Sequence, residues 1–334
     1  MLLVALLAVI AVLLGIVIAL LPDSAPRDRS LAGDSGRPSD VVPDEPAEPS
    51  RRPEQRESAP EPERRRTDVP TPVPEVYPEA PPLAVPAEPQ DDLWWLPATR
   101  PAPHRRGPLV LVLDDAGYSL DAFDRFLEFP GPLAVAVLPQ LDYSVQAAAL
   151  TAAAGKEIML HQPMEPLRGG DPGPGVIGPA DSPEDIVETV RMNLATVPGA
   201  IGVNNHMGSL ATTDRALMRT VLGMLHGRDL FFLDSRTTAE TVGRVVAAEI
   251  GIPFAERAVF LDNWRTRESI LASIKHSLER THRGEPVVMI GHVTVPLLAE
   301  ILLDVYPTII EHGYEFTSIS SLVSPVQLAM GGDG

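Results

Sequence analysis

The sequence of 334 residues contains no cysteine and no tract of basic residues. Without cysteine the chain cannot form disulfides or bind a metal through thiolates, so any metal ion must be held by His, Asp or Glu. The formal net charge of −18 and the missing basic tract argue against a nucleic-acid ligand. The same charge disfavours tight binding to anionic lipid surfaces. The absence of cysteine is compatible with an extracytoplasmic location but does not require one.

Residues 1–21 form an almost uninterrupted run of Leu, Val, Ile and Ala that carries no charge. Such a run is long enough to cross a bilayer as a helix, so we predict a transmembrane anchor. A cleavable signal peptide is the alternative, although no basic region precedes the run and no clear cleavage site follows it. We expect the domain that follows to be extracytoplasmic, most simply on the periplasmic side.

Residues 22–106 are rich in Pro, Glu, Asp, Arg and Ser. This composition cannot bury enough apolar surface to offset the entropy of ordering, which predicts a disordered linker with extended segments. Trp94 and Trp95 interrupt it, and we expect these rings to dock on the folded domain; a partner-binding motif is the alternative. Residues 107–327 have the size of one β/α domain, and residues 328–334 form a flexible tail.

Apolar runs of strand length alternate with segments of helical period after residue 107, which predicts a parallel sheet covered by helices. Seven or eight such units favour a distorted (β/α) barrel of seven or so parallel strands over an open sheet. The predicted strands are 109–113, 133–138, 157–160, 200–203, 230–233, 253–260, 286–290 and 316–319. The predicted helices are 120–128, 143–154, 183–196, 214–226, 238–250, 267–282 and 295–312. The Gly- and Pro-rich segment 168–180 is expected to form a mobile or irregular rim loop.

Polar residues follow several of the predicted strands. The first strand ends in Asp114-Asp115, and His161, His206 and His292 end three later apolar runs. The carboxyl ends of parallel strands meet at one face, where loops build active sites. Two adjacent carboxylates repel unless a cation stabilises both charges. Two Asp and three His aimed at one face therefore indicate a metal-dependent hydrolase.

Each of these residues also has a structural interpretation. The aspartates could belong to a turn or a helix cap, and any single His after a strand could be a hydrogen-bonded core residue. Asp234 could pair with Arg236 or cap a helix, and Asp262 and Asn263 could act likewise. The joint pattern favours function, because independent structural residues would not all fall at the same end of successive strands.

At these residues the chain resembles the divergent branch of the polysaccharide deacetylase superfamily over essentially all of residues 109–323. Residues 113–117 (LDDAG) are similar to the family's first motif, which implies that Asp114 is the base and Asp115 a metal ligand. Residues 157–166 are similar to the second motif, which implies that His161 is a ligand. That motif normally has another His where this chain has Glu165, and His206 could replace it. The block around His292 matches the position of the family's catalytic acid.

The resemblance implies a deacetylase acting on acetyl groups of an envelope polysaccharide or peptidoglycan-like glycan, and the predicted anchor at 1–21 would tether it to the membrane. A divalent metal, expected to be Zn²⁺, would be held by Asp115, His161 and His206, with Glu165 as the alternative third ligand. Asp234 would orient His292. The remaining blocks of the family supply the expected substrate-binding residues, which are Asn204, Asn205 and Arg236. The alternatives are a non-catalytic envelope module that binds glycan or protein, and a glycosidase with paired carboxylates.

Overall fold

The computed structural model describes residues 93–97 and 106–323. The predicted anchor at 1–21, nearly all of the predicted linker and the predicted tail lie outside these residues. In the part of the chain that is described, no helix combines the length and the apolar character needed to cross a membrane. Trp95 is 5% exposed and packs in the main hydrophobic core, while the carbonyl of Trp94 accepts a hydrogen bond from Lys275 Nζ at 3.0 Å. The prediction that the tryptophan pair docks on the domain is confirmed.

The domain is built on one sheet of eight parallel strands, as expected for a distorted barrel. The strand order is β6-β5-β4-β3-β2-β1-β8-β7. The strands are β1 (Leu109–Ala116), β2 (Ala134–Val137), β3 (Glu157–Met164), β4 (Gly202–Met207), β5 (Phe231–Asp234), β6 (Phe254–Glu256), β7 (Val259–Phe260) and β8 (Val287–His292).

The two ends of the sheet approach each other between β6 and β7. The single strand predicted at 253–260 is in fact two short strands, which pair with β5 and β8 respectively. Between them, Arg257 N bonds to Asp234 O at 2.9 Å and Ala258 N bonds to Val288 O at 2.8 Å. The chain therefore steps directly from one end of the sheet to the other, which curls the sheet into a distorted half-barrel.

Helices cover the outer face of the sheet, except for the last short helix, whose Ile319 and Val323 join an apolar cluster on the other face. They are α1 (Phe123–Leu127), α2 (Ser144–Ala153), α3 (Pro183–Ala195), α4 (Arg215–His226), α5 (Gly243–Ile250), α6 (Arg267–Thr281), α7 (Pro296–Glu311) and α8 (Ile319–Val323). Ser182 caps α3 as its sequence indicates, because its side chain accepts from Asp185 N. The strand predicted at 316–319 is wrong: Phe316 forms only an isolated bridge to Leu109, and Ile319 begins α8.

Alternation along the strands separates two apolar layers. On β1, Leu109, Leu111 and Leu113 belong to the large core between sheet and helices. Val110 and Val112 belong to a second cluster with Met159, Leu233 and Ile290, which lies inside the curled sheet. Successive strand residues face opposite sides, so residues in step with Val110 and Val112 point to the interior. Asp114 is the next residue in that series.

Candidate metal centre and acid–base pair

A bulge in β1 brings two adjacent carboxylates to one cavity. The register with β2 shifts between Leu113 and Ala116, where β1 has one residue more than its partner. Asp115 sits in this bulge with a left-handed φ of 65°. A non-glycine residue in that conformation costs about 1–2 kcal/mol. The bulge breaks the alternation of β1, and both Asp114 and Asp115 lie near His161 as a result.

His161 and His206 come from the neighbouring strands β3 and β4. β3 is longer than the predicted strand 157–160, because it continues through His161 to Met164, and Pro163 pairs in register with His206. The two imidazoles meet edge to face, with His206 Nδ1 lying 3.1 Å from His161 Nε2. Both side chains are buried, at 2% and 6% exposure.

Three ligand-competent atoms form a small triangle, which we call the Asp115–His161–His206 cluster. Asp115 Oδ1 lies 3.4 Å from His161 Nε2 and 3.2 Å from His206 Nδ1. Two atoms bonded to one tetrahedral ion at about 2.0–2.1 Å lie roughly 3.3–3.4 Å apart. The spacing of the cluster therefore fits three ligands of one ion. It is the one group of three or more potential ligands found within the described residues.

Asp115 Oδ1 is also the one buried side-chain oxygen or nitrogen among the described residues that has no hydrogen-bond partner. A buried carboxylate oxygen without a partner is costly, and a bound cation would satisfy it. Burial raises the pKa of the Asp115 carboxyl, but the adjacent imidazoles of His161 and His206 outweigh it and hold the pKa well below its usual range. Asp115 is thus an anion at neutral pH, as a metal ligand must be.

Asp114 is buried beside the cluster but is not part of it. Its Oδ2 lies 3.7 Å from His161 Nε2, and its Oδ1 accepts a 2.9 Å hydrogen bond from Asn204 Nδ2. Burial raises the pKa of Asp114 above its ordinary value, since the opposing charges of His161 and His292 do not cancel the loss of hydration. A carboxylate with a raised pKa is better suited to accept a proton than an ordinary surface Asp.

His292 ends β8 in direct register with Asp114. Its Nδ1 lies 2.8 Å from Asp262 Oδ1, and its backbone N donates to Asp262 Oδ2 at 2.8 Å. Burial opposes the charged imidazole, yet the charge and hydrogen bond of Asp262 raise the pKa of His292 to about 10. His292 is therefore held as a cation at neutral pH.

Asp262, rather than Asp234, orients His292, which corrects the expectation from the sequence. On β5, Leu233 faces the interior and Asp234 faces the helices. The carboxylate of Asp234 accepts from Arg236 N at 2.7 Å and Thr241 Oγ1 at 2.6 Å. Burial raises its pKa. These contacts give Asp234 the role of organising the β5–α5 loop.

The side-chain amides of the two asparagines expected to bind substrate form hydrogen bonds within the protein. Asn205 Nδ2 donates to Met207 O at 2.7 Å, and Asn205 Oδ1 accepts from Ser235 N at 2.8 Å. Asn204 is fully buried and bonds His161 and Asp114. Neither amide is free to bind a ligand, so the prediction of substrate contacts is wrong for both.

Glu165 lies away from the cluster. Its side chain packs on Gly178, and it lines a cavity of about 410 Å³ under the Gly- and Pro-rich loop. Among the described residues it does not join the metal-competent group. His206, which the sequence offered as the replacement, occupies the third position instead.

The Gly- and Pro-rich loop is anchored, which does not agree with a mobile rim. Gly175 O accepts hydrogen bonds from Gln162 Nε2 at 2.9 Å and Asn193 Nδ2 at 2.8 Å. Ile177 is 1% exposed and bridges to Met164 at the end of β3. The irregular backbone of this loop is fixed by buried amides.

Tyr118 borders the candidate site but was not among the site residues predicted from the sequence. It follows the β1 bulge, and its hydroxyl lies close to Gly173 of the loop. Burial raises the pKa of Tyr118, and the nearby charges of Asp115 and Asp171 add to the rise. A protonated phenol thus borders the candidate site. Its position directly after the DDAG motif was the available signal.

Known proteins resemble this chain in sequence and in fold. Residues 111–323 match the sequence profile described as divergent polysaccharide deacetylase. The protein YibQ of Escherichia coli K12 is 31% identical over 211 residues, which is 62% of this chain and 66% of YibQ. A Haemophilus influenzae protein is 31% identical over 184 residues, covering 55% of this chain and 66% of that protein.

Among solved structures, the Agrobacterium tumefaciens protein ATU2773 is similar in fold, with a TM-score of 0.62 at 20% identity. The match covers 69% of this chain and 93% of that one. The chain thus spans just under two thirds of the length of the two sequence relatives, and nearly all of the structural one.

Proposed function

The chain belongs to the divergent polysaccharide deacetylase family, and on that premise we propose that it is a metal-dependent hydrolase removing acetyl groups from an envelope polysaccharide. The observation that carries the proposal is the Asp115–His161–His206 cluster, which has a buried carboxylate and a partly buried imidazole cation beside it.

The metal ligands in this proposal are Asp115, His161 and His206, and the expected ion is Zn²⁺. Three protein ligands leave a fourth position open, as catalytic zinc sites require. When bound, the ion would lower the pKa of a water molecule to about 7 and polarise the acetyl carbonyl.

Asp114 is the proposed general base. The Asn204 amide holds Oδ1 of its carboxylate, which leaves Oδ2 on the side of His161 and the cluster. In its ionised form, the carboxylate takes the proton from the attacking water. Its raised pKa improves its affinity for that proton.

His292 is the proposed general acid. Asp262 holds Nδ1 of the ring, and the proposed proton donor is the opposite ring nitrogen, Nε2. As an imidazolium it protonates the sugar amine or hydroxyl that leaves when the acetyl bond breaks. Asp114 and His292 are register partners on adjacent strands, which supports their roles as a base and an acid that act side by side.

The location of the enzyme forms part of the proposal. The uncharged apolar run 1–21 supports a membrane anchor, and the Pro- and Glu-rich residues 22–106 support a tether. The domain could then act on glycan in the envelope on the extracytoplasmic side. Arg236 is half-exposed near Glu256 and is retained as a candidate for substrate contact.

The non-catalytic alternative rested on Glu165 replacing a ligand histidine. His206 offers a third potential ligand atom at 3.1–3.2 Å from the other two, which weakens that argument.

Acetate release from acetylated glycans tests the proposed function. Zn²⁺-loaded wild type should release acetate, while Asp114→Asn and His292→Ala should keep metal and fold but lose activity by about 10²–10⁴-fold. A matched control is Asp304→Asn, which changes a surface carboxylate paired with Arg267. If metal-loaded wild type releases no more acetate than Asp114→Asn across neutral, acidic and amino-sugar glycans, the non-catalytic alternative replaces the hydrolase.

A further inference from the structure

One buried side-chain amide contacts both a member of the Asp115–His161–His206 cluster and the proposed base, Asp114. Asn204 lies on β4, is fully buried, and is the register partner of His161 on β3. Its Oδ1 lies 2.9 Å from His161 Nδ1. Its Nδ2 donates to Asp114 Oδ1 at 2.9 Å and to Ser235 Oγ at 3.3 Å. All of its polar atoms are therefore engaged.

These contacts determine which ring nitrogen of His161 carries a proton. Only Nδ2 of the amide can donate to the Asp114 carboxylate, so Oδ1 must face the imidazole. An amide oxygen accepts a hydrogen bond, and His161 Nδ1 must therefore carry the proton. In the neutral ring, Nε2 then presents its lone pair toward Asp115 Oδ1 and His206 Nδ1, which lie 3.4 and 3.1 Å away.

We propose that Asn204 is a positioning residue that fixes the ligand tautomer of His161 and the orientation of Asp114 through one amide group. The inference rests on the proposed function, because it assigns a ligand role to His161 and a base role to Asp114. Histidine ligands are commonly oriented by a carboxylate or a carbonyl. An amide serves here because a carboxylate could accept from His161 but could not donate to Asp114.

The two roles can be separated by substitution in the full-length protein. Asn204→Ala removes both contacts, and Zn²⁺ affinity should fall about 10–100-fold, the range found for lost supporting contacts of metal ligands. Asn204→Asp keeps the acceptor for His161 and loses the donor to Asp114. It should restore Zn²⁺ affinity relative to Asn204→Ala, yet lower kcat for acetate release with little change in KM.

Asn205→Ala is the matched control, because Asn205 is an equally buried amide on the same strand with partners at Met207 and Ser235. It should lower stability and leave Zn²⁺ affinity near the wild-type value. Nitrogen-15 NMR supplies a readout independent of activity. The His161 Nδ1–H of wild type should exchange slowly, with or without Zn²⁺, and this protection should vanish in Asn204→Ala.

The outcomes are distinguishable. Equal losses of Zn²⁺ affinity in Asn204→Ala and Asn205→Ala, or an Asn204→Asp variant as weak as Asn204→Ala, would overturn the positioning role. A wild type that binds no Zn²⁺ would defeat the proposed function. In that case, a protected His161 Nδ1–H that depends on Asn204 would still support the orienting contact, and an unprotected one would overturn it.

Discussion

Removing the carboxylate of Asp262 should release the proton of His292 at a much lower pH. In the metal-free protein the pKa of His292 is about 10, because the Asp262 carboxylate outweighs the effect of burial. Asp262→Asn keeps the shape of the side chain and removes its charge. We expect the pKa of His292 to fall well below 10, because only the weaker effects of Asp115 and Asp114 then oppose burial.

The consequence for stability has a defined sign. His292 has a raised pKa in the folded state, so its contribution is complete below pH ~6.5 and is lost as the pH rises through about 10. The difference between these two values corresponds to an upper bound of roughly 5 kcal/mol. The free energy of unfolding of Asp262→Asn should thus lie furthest below wild type under acidic to neutral conditions and converge on it above pH ~10.

Two measurements check this prediction. NMR titration of His292 in metal-free wild type and Asp262→Asn gives the pKa directly, and urea unfolding from pH 5 to 10.5 gives the stability. Asp304→Asn, a surface substitution, should match wild type in both. If His292 still titrates near 10 in Asp262→Asn, the attribution of its charge to Asp262 is wrong.

Further predictions concern the ligand set and the loop. Glu165→Gln should leave metal content unchanged in elemental analysis while His206→Ala lowers it, because only His206 belongs to the cluster; the reverse result would reinstate Glu165 as the ligand. Gly175→Ala should destabilise the domain in thermal unfolding more than Gly155→Ala. Both positions have positive φ, but a Cβ at Gly175 would lie 2.2 Å from Asn193 Oδ1 and one at Gly155 meets nothing. Equal losses of thermal stability in the two variants would show that the loop accommodates a Cβ at Gly175 at no extra cost in stability.

Much of the interior of the site follows from alternation in the sequence. Val110, Val112 and Asp114 are alternate residues of β1 that face the interior of the curled sheet. Met159 and His161 are alternate residues of β3 that face the same side. The same rule places Val288, Ile290 and His292 together on β8. The sequence therefore predicts which strand-end residues converge, provided that each strand extends through its polar end.

The same alternation could have excluded two expected site residues. Asp234 follows the interior-facing Leu233, and Asn205 lies between Asn204 and His206. Both must point away from the cavity in a regular strand. The prediction that Asp234 orients His292 was wrong because it rested on the motif around Asp234. Strand alternation directs the Asp234 side chain toward the helices and away from His292.

Other features depend on tertiary structure. Asp115 reaches the cluster only because β1 bulges and this residue adopts a φ of 65°; Asp tolerates this conformation, but the sequence does not show where the bulge falls. Pro163 breaks strands in most contexts, yet β3 continues through it to pair with β4. The partner of His292, Asp262, lies 30 residues earlier in the chain and meets it only because β7 pairs with β8.

Metal content of the purified protein tests the central claim most directly. After loading with Zn²⁺ and dialysis, elemental analysis should find close to one ion per chain in wild type, most of which is lost in His161→Ala. Wild type that retains no ion, or His161→Ala that retains as much as wild type, would contradict the assignment of Asp115, His161 and His206 as a metal centre.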